Sequence, residues 1–517
     1  MTAPGGNGAD HLIASLAGAG VEVCFANPGT TEMPLVHALD RAPGMRAVLG
    51  LAEGAVSGAA DGYARMKGRP AMTLLHMAPG LANAGANLHN AKKARTPVLN
   101  IVGNHAQRHL RYETPLGADV AATASVFSDW VRMARDAGSL AGDGIEALAV
   151  ARGHPGRIAT LIVPEDVGHD PAAGPPVPAL TPQAPRPLDP EMLRSAVAAL
   201  GPGAVIIASG TVLEDAASIN LLAGIAAQTG AALLAPTWNR RIERGAGRAS
   251  IPRIPFPAAQ AGAALSRFRR AVLIETHPPV AFFAWRDCPS LLLPQSCETI
   301  PLAEFDQDGR AAVAALAEAI GARPAPPPPM QAAAPPAGAA MSEANLSAAI
   351  AAALPEGAIL IDEGMTRGRP VEALSAAGPP HALLSITGGA IGIGPPLAAG
   401  AAIACPDRPV VVMQADGSAM YTIQALWTQA REGLNITTVV FANKGYDMLK
   451  AELGRGGRNP GPLASRLMEM DGPALDFVSL ARGMGVPAAR TGDASELYRL
   501  IFAAVHEPGP FLIEAML

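Results

Sequence analysis

The stretch VVVMQADGSAMYTIQALWTQAREGLNITTVVFANKGYDML, residues 410–449, decides the fold of this chain. Residues 410–413 and 437–441 are β-branched, apolar runs, and each reads as a buried strand. Residues 422–433 read as the helix that joins them. A strand–helix–strand crossover makes the two strands parallel and brings their carboxyl ends to one edge. Asp416 follows the first strand and Asn443 the second, so two hard oxygen donors arrive in the same crevice. With the turn Asp416-Gly417-Ser418 at a helix start, they suit a Mg²⁺ ion that holds a diphosphate.

The same alternation runs outward from this unit. AILIDEG (358–364), AVIIAS (204–209) and AVLIET (271–276) have the look of buried parallel strands. Two proline-rich stretches, residues 170–190 and 323–340, favour extended polyproline geometry and cannot enter a sheet interior. They divide the chain into blocks 1–170, 189–322 and 342–517, with linkers 171–188 and 323–341. The expected fold is α/β, with three doubly wound parallel-sheet domains. Ligands of such sheets sit beyond the carboxyl ends of the strands.

Composition narrows the function. Only 16% of residues are charged and 49% are hydrophobic, so much surface is buried, part of it in a subunit interface. A net charge of −5 without a basic cluster argues against nucleic acid as a partner. Cys24, Cys288, Cys297 and Cys405 are scattered and form no CxxC, which fits a reducing cytoplasm. The N-terminal residues show no signal-peptide pattern, and the apolar stretch 388–405 is interrupted by Pro395 and Pro396, so no membrane partner is expected. His105 and His109 have helical metal-ligand spacing but lack a third ligand. No P-loop and no GxSxG elbow occur, and GGAIGIG has the wrong glycine spacing for a dinucleotide fingerprint.

The first block holds three notable segments: FANPGTTEMP (25–34), LAEGAVSGAADGYARMKGRPAMTLLHMAPG (51–80) and LANAGANLHNAKKARTPVLNIVGN (81–104). The first reads as a strand, a Pro-Gly turn and a helix capped by Thr30 or Thr31, with Glu32 favourable in its first turn. In the second, Glu53 heads a helix of small residues that can approach another surface closely. These segments, with the later Asp-Gly…Asn, resemble the thiamine diphosphate (ThDP)-dependent 2-oxoacid decarboxylases and carboligases. That family includes acetolactate synthase, benzoylformate decarboxylase, pyruvate decarboxylase and pyruvate oxidase. The resemblance covers essentially the whole chain, in the order pyrimidine-binding, middle and diphosphate-binding domain.

The resemblance implies a role for each motif residue. Glu53 bonds the aminopyrimidine ring and stabilises the imino tautomer that activates the thiazolium; the cofactor carries the hard chemistry and the protein positions it. His76 is an acid/base or substrate-carboxylate contact, or else a structural histidine at a strand end. Thr30 keeps the hydroxyl of a substrate-binding serine. Asp416, the Asn443 side chain and the Gly445 carbonyl hold Mg²⁺. Gly417 and Ser418 meet the diphosphate through backbone N–H and hydroxyl, and Thr366 is the candidate in the turn DEGMTRG. Gly389 belongs to the loop under the thiazolium, Ile391 props the cofactor into its bent shape, and Met448 lies near the reacting centre. Phe283, Trp285 and Leu449 join Thr30 and His76 as the substrate pocket. A second histidine of the benzoylformate branch is missing, since Ala284 aligns with it.

The implied activity is decarboxylation of a 2-oxoacid, releasing an aldehyde or joining it to a second carbonyl as a 2-hydroxyketone. The implied assembly is a homo-oligomer, dimeric at least and a dimer of dimers in the fuller reading, with Glu53 of one chain facing Asp416 and Asn443 of another. Three rivals stay open: a FAD-containing synthase or oxidase, a ThDP lyase or transferase on an unusual substrate, and a non-catalytic regulatory paralogue.

Overall fold

Apolar runs of three to seven residues set most of the strands, and their alternation shows how each sheet is covered. The computed structural model describes residues 6–172, 174–284, 288–326, 328–455, 457 and 459–517. In the first block β1 (Val23–Asn27), β2 (Arg46–Leu49), β3 (Ala71–Leu75), β4 (Val98–Asn104), β5 (Trp130–Met133) and β6 (Ile158–Pro164) form a sheet of order β2-β1-β3-β4-β6-β5. Every pairing in it is parallel. Val23 and Phe25 pack into one core while Cys24 and Ala26 pack into another, so the sheet is covered on both faces.

The middle block repeats this on a smaller scale. Its strands are β7 (Ala204–Ala208), β8 (Ala232–Leu234), β9 (Ile242–Arg244), β10 (Arg270–Ile274) and β11 (Glu298–Ala303). Four of them form a parallel sheet of order β11-β10-β7-β8. The last block contributes β12 (Ile359–Glu363), β13 (His381–Ser385), β14 (Val410–Ala415), β15 (Ile436–Ala442), β16 (Ala488–Thr491) and β17 (Phe511–Met516), in the order β16-β17-β15-β14-β12-β13. β9 leaves the middle block and pairs antiparallel with β13, closing the edge of this third sheet. The expected three-sheet α/β architecture is therefore present, with one strand lent across a block boundary.

The decisive crossover is present too, with a shorter helix than expected. β14 and β15 are parallel neighbours, and the helix between them spans Ala425–Arg431. Thr422 lies outside it because its hydroxyl donates to the Gly392 carbonyl at 2.7 Å. The segment after β1 begins as a 3₁₀ turn, Thr30–Glu32, before the helix Met33–Leu39.

The first and third blocks share one hydrophobic core. Helix Glu53–Lys67 lies against helix Gly394–Ala404 with its backbone in contact. A Cβ on Gly62 would stand 2.0 Å from the Leu397 carbonyl oxygen, and one on Gly400 would stand 1.8 Å from that of Ala59. Val56 and Ala60 thus join Leu397, Ala401 and Val412 in a single buried cluster. The fully buried Asp61–Arg65 pair, at 2.6 Å, strengthens this seam. Arg65 also donates to the Ser385 carbonyl at 2.7 Å, to the Thr387 hydroxyl at 3.1 Å and to the Arg240 carbonyl at 3.3 Å, joining all three blocks.

Candidate functional site

Parallel strands deliver their carboxyl ends to one edge, and the candidate residues of the third block lie there. Asp416 directly follows β14 and is buried. Its two oxygens accept the N–H groups of Gly417 and Lys444, each at 2.7 Å, so the carboxylate ties the turn after β14 to the turn after β15. Lys444 has a φ of 59°, a left-handed conformation rare for a lysine, in the middle of the Asn443-Lys444-Gly445 turn. Burial pushes the Asp416 carboxyl above the usual range, with Asp447 adding to the effect.

Among the described residues the Asn443 side chain makes no hydrogen bond, and no group of three His, Cys, Asp or Glu could hold a metal. One carboxylate, one amide oxygen and one carbonyl oxygen fit a hard cation such as Mg²⁺ rather than zinc. Ser418 turns its hydroxyl inward, donating to the Ala415 carbonyl at 3.1 Å and accepting from Gln414 at 2.7 Å. What the turn offers an anion is therefore backbone N–H. A Cβ on Gly417 would stand 2.6 Å from the Tyr446 ring, which holds that turn to hydrogen alone.

Glu363, at the end of β12, is a buried carboxylate that accepts N–H bonds from Gly392 (2.5 Å), Ile393 (3.3 Å) and Gly394 (2.5 Å). Desolvation raises its pKa, against the lowering effect of those donors. It fixes the loop that carries Gly389, which is exposed with a φ of 77°, and Ile391, which is half-buried. Thr366 is half-buried in the turn beyond Glu363, next to Met365 with a φ of 56°.

The first sheet presents its own carboxyl edge. Glu53 opens helix Glu53–Lys67, is 9% exposed, and accepts from the Asn83 amide at 3.1 Å. Gly80 faces it, since a Cβ there would come within 2.9 Å of Glu53 Oε1. No hydrogen bond or ion pair joins Glu53 to Asp416 or Asn443 among the described residues. His76 follows β3, and its Nδ1 lies 2.8 Å from Glu32 Oε2.

Glu32 is fully buried and also accepts from the Gly29 N–H at 2.7 Å and the Thr31 hydroxyl at 2.6 Å. A carboxylate accepts only, so Nδ1 carries the proton and Nε2 is left free. Thr30 is exposed; Thr31 is the hydroxyl that approaches the imidazole, at 3.4 Å. Glu32 is the expected first-turn acid, and it is also the buried partner of His76.

Two family models match the blocks that carry these edges. The N-terminal TPP binding domain of thiamine pyrophosphate enzymes matches residues 6–123, and the C-terminal TPP binding domain matches residues 362–515. The chain is 44% identical over 519 residues to "Putative acetolactate synthase large subunit IlvX" of Mycobacterium tuberculosis, with 99% of each chain covered. The chain belongs to the thiamine pyrophosphate enzymes. It is also 28% identical to benzoylformate decarboxylase of Pseudomonas aeruginosa over 96% of both chains. Its fold is that of the ThDP-dependent 4-hydroxybenzoylformate decarboxylase of Rhodococcus jostii RHA1, with a TM-score of 0.83, 23% identity and 98% of both chains covered. It is thus a ThDP-dependent enzyme of the acetolactate synthase/benzoylformate decarboxylase family.

The substrate-pocket candidates divide. Phe283 and Leu449 are about half exposed, and Trp285 lies outside the described residues. Next to them Phe282, already a pocket candidate by sequence, meets two aromatics that the sequence reading missed, Trp238 and Phe256. Trp238 stacks on Phe256 at 5.6 Å, and Phe282 meets both, at 4.4 and 4.9 Å. Trp238 and Phe256 line a cavity of about 210 Å³ together with Met365, in the turn after β12, and Met448, in the helix Asp447–Arg455 beyond β15. Only their distance in sequence from the cofactor motifs hid them.

The matched family models and relatives give no support to the flavin alternative, and the middle block carries an internal carboxylate at its sheet edge. Buried Glu275 ends β10 and accepts from the Thr211 N–H at 2.5 Å, the Thr211 hydroxyl at 2.7 Å and the Gly309 N–H at 2.9 Å. Gly309 opens the helix Gly309–Ile320. An internal carboxylate therefore satisfies amides of two turns at this edge of the middle sheet.

Proposed function

We propose that this ThDP enzyme uses Mg²⁺ and decarboxylates a 2-oxoacid, with release of an aldehyde or carboligation to a 2-hydroxyketone. The observation that carries the reading is that one chain holds both a buried helix-leading Glu53 and the turn Asp416/Asn443/Gly445, whose carboxylate is buried at a sheet edge. Bound ThDP supplies the nucleophilic carbon and the electron sink. Asp416, Asn443 and Gly445 hold the cation, and the Ser418 N–H meets the diphosphate, the Gly417 N–H being held by Asp416 and its lack of a side chain leaving the approach open. Glu53 bonds the aminopyrimidine. Met448, Ile391 and Gly389 support the thiazolium side, and Thr366 the diphosphate side. His76, oriented by Glu32, delivers or takes a proton through Nε2, while Thr30 or Thr31 contacts the substrate.

A proton-supplying imidazole favours aldehyde release when no acceptor is present. Met33, Leu51, Met420 and Tyr421 are exposed beside the two candidate edges, which supports a homodimer whose chains complete each other's sites. Among the described residues no helix is long and apolar enough to cross a membrane, and the four cysteines are free, in keeping with a cytoplasmic setting.

The test is a panel of pyruvate, 2-oxobutyrate and phenylglyoxylate, with and without an acceptor aldehyde, measuring CO₂, aldehyde and hydroxyketone together. CO₂ from none of the donors defeats the reading. So does full activity in Glu53→Gln or after chelation of Mg²⁺.

A further inference from the structure

Helix Met77–Ala94 presents three asparagines, Asn83, Asn87 and Asn90, on one face at helical spacing. Each bonds a segment that carries candidate cofactor residues. Asn83 donates to Glu53 Oε2 at 3.1 Å. Asn87 donates to the Gly54 carbonyl at 2.8 Å and to the Gly392 carbonyl at 3.4 Å. Asn90 donates to Asn87 at 3.1 Å and to the Ala390 carbonyl at 2.7 Å, and accepts the N–H groups of Gly388 at 3.0 Å and Ala390 at 3.3 Å.

Asn87 and Asn90 are buried, so each unmade bond would carry the full cost of desolvation. The loop at residues 387–392 has no ladder of its own. Its polar groups go to this helix: Thr387 donates to the Asn90 carbonyl at 2.7 Å, and His89 Nε2 lies 3.1 Å from the Gly388 carbonyl. A Cβ on Gly388 would stand 2.6 Å from the His89 ring, so the contact admits only glycine.

We propose that Asn83, Asn87 and Asn90 are positioning residues that hold the Glu53 carboxylate and the loop carrying Gly389 and Ile391 in one fixed relation, so that in the dimer they tie the Glu53 half of one site to the thiazolium loop of its neighbour. This rests on the reading that Glu53 and Ile391 touch ThDP. Asn90 acts as the loop's template because it matches both an N–H and a C=O of Ala390, as a neighbouring strand would. Asn87 clamps the far end of the loop and the first turn of the Glu53 helix. Asn83, the exposed member, orients the carboxylate itself.

The experiment uses Asn90→Asp, which keeps shape and both acceptor positions but loses both donations, and Asn83→Ala, whose exposure leaves folding untouched. Trp238 reports on the loop without any cofactor, because its ring lies 3.4 Å from the Cβ position of Gly389. Its emission is taken as the difference from Trp238→Phe. In cofactor-free Asn90→Asp that emission should shift and become more open to iodide quenching. Titration with ThDP and Mg²⁺ should show affinity weakened roughly 10- to 100-fold in Asn90→Asp and several-fold in Asn83→Ala, with substrate KM little changed. Unaltered Trp238 emission together with wild-type ThDP affinity in both variants overturns the proposal. Should Asn90→Asp fail to fold, wild-type affinity in Asn83→Ala overturns it alone. A wild-type protein that binds no ThDP defeats the functional reading, while the Trp238 comparison still decides on the ladder.

Discussion

Gly29 leaves room for an imidazole. A Cβ there would stand 2.2 Å from His76 Nδ1, so Gly29→Ala must push the ring off Glu32. Aldehyde release should fall by about 100-fold or more, the range for loss of a placed acid/base group, with ThDP affinity retained. A rate assay beside a ThDP titration reads both. A second histidine makes the opposite case. His381 is buried, and desolvation lowers its pKa to about 4 from 6.5. Between those values the unfolded chain binds a proton that the folded chain refuses, so stability falls as pH drops through that window. At pH 5 the loss is about 2 kcal/mol, and His381→Gln should flatten the dependence of the thermal midpoint between pH 7 and pH 5. The placement of Glu53 at a helix start and of Asp416 and Asn443 after two parallel strands was legible because motif and strand pattern agree on it. Glu32 stands in the first turn as spacing places it, but its bond to His76 was not legible, because spacing does not say whether that turn meets water or a neighbouring strand.

At the scale of elements, the helix pair Glu53–Lys67 and Gly394–Ala404 is the least tolerant of change. Gly62→Ala puts a methyl 2.0 Å from the Leu397 carbonyl oxygen and must separate two backbones. Overpacking of this kind costs about 1–3 kcal/mol, and the thermal midpoint should drop accordingly, whereas Gly142→Ala, with nothing within 4 Å, should not lower it. The small-residue pattern of the first helix announced a close approach; only the fold names its partner. Buried strands such as β14 and β15 were legible because an uninterrupted apolar run has few other uses. β9 was not, because Ile242-Glu243-Arg244 has neither length nor alternation, and its pairing depends on where β13 ends up. The helix before β15 was overdrawn because Thr422 bonds a distant loop, a tertiary effect that local propensity does not carry.

For the whole molecule, proline content marked three blocks, and three sheets follow. Yet the blocks are not separate bodies. The first and third share a core through the helix pair, and the second edges the third sheet through β9. The segments between blocks are pinned as well: the Val177 N–H donates to Ser15 Oγ at 2.9 Å, and the Gln331 N–H to the Ala377 carbonyl at 2.7 Å. None of this is visible in composition, because it arises from faces that meet only after each sheet has formed. The lent strand carries a consequence for the chain as a covalent object. A cut in the proline-rich segment 323–341 falls between β9 and β13 in sequence and leaves their pairing untouched. Two fragments expressed separately should therefore find each other and co-purify, with ThDP binding restored only on mixing. Independent fragments that ignore each other in a pull-down would show the shared faces to be too weak. If they do reassemble, the peptide bond across that segment is a tether rather than a structural member, and the site can be built by fragment complementation.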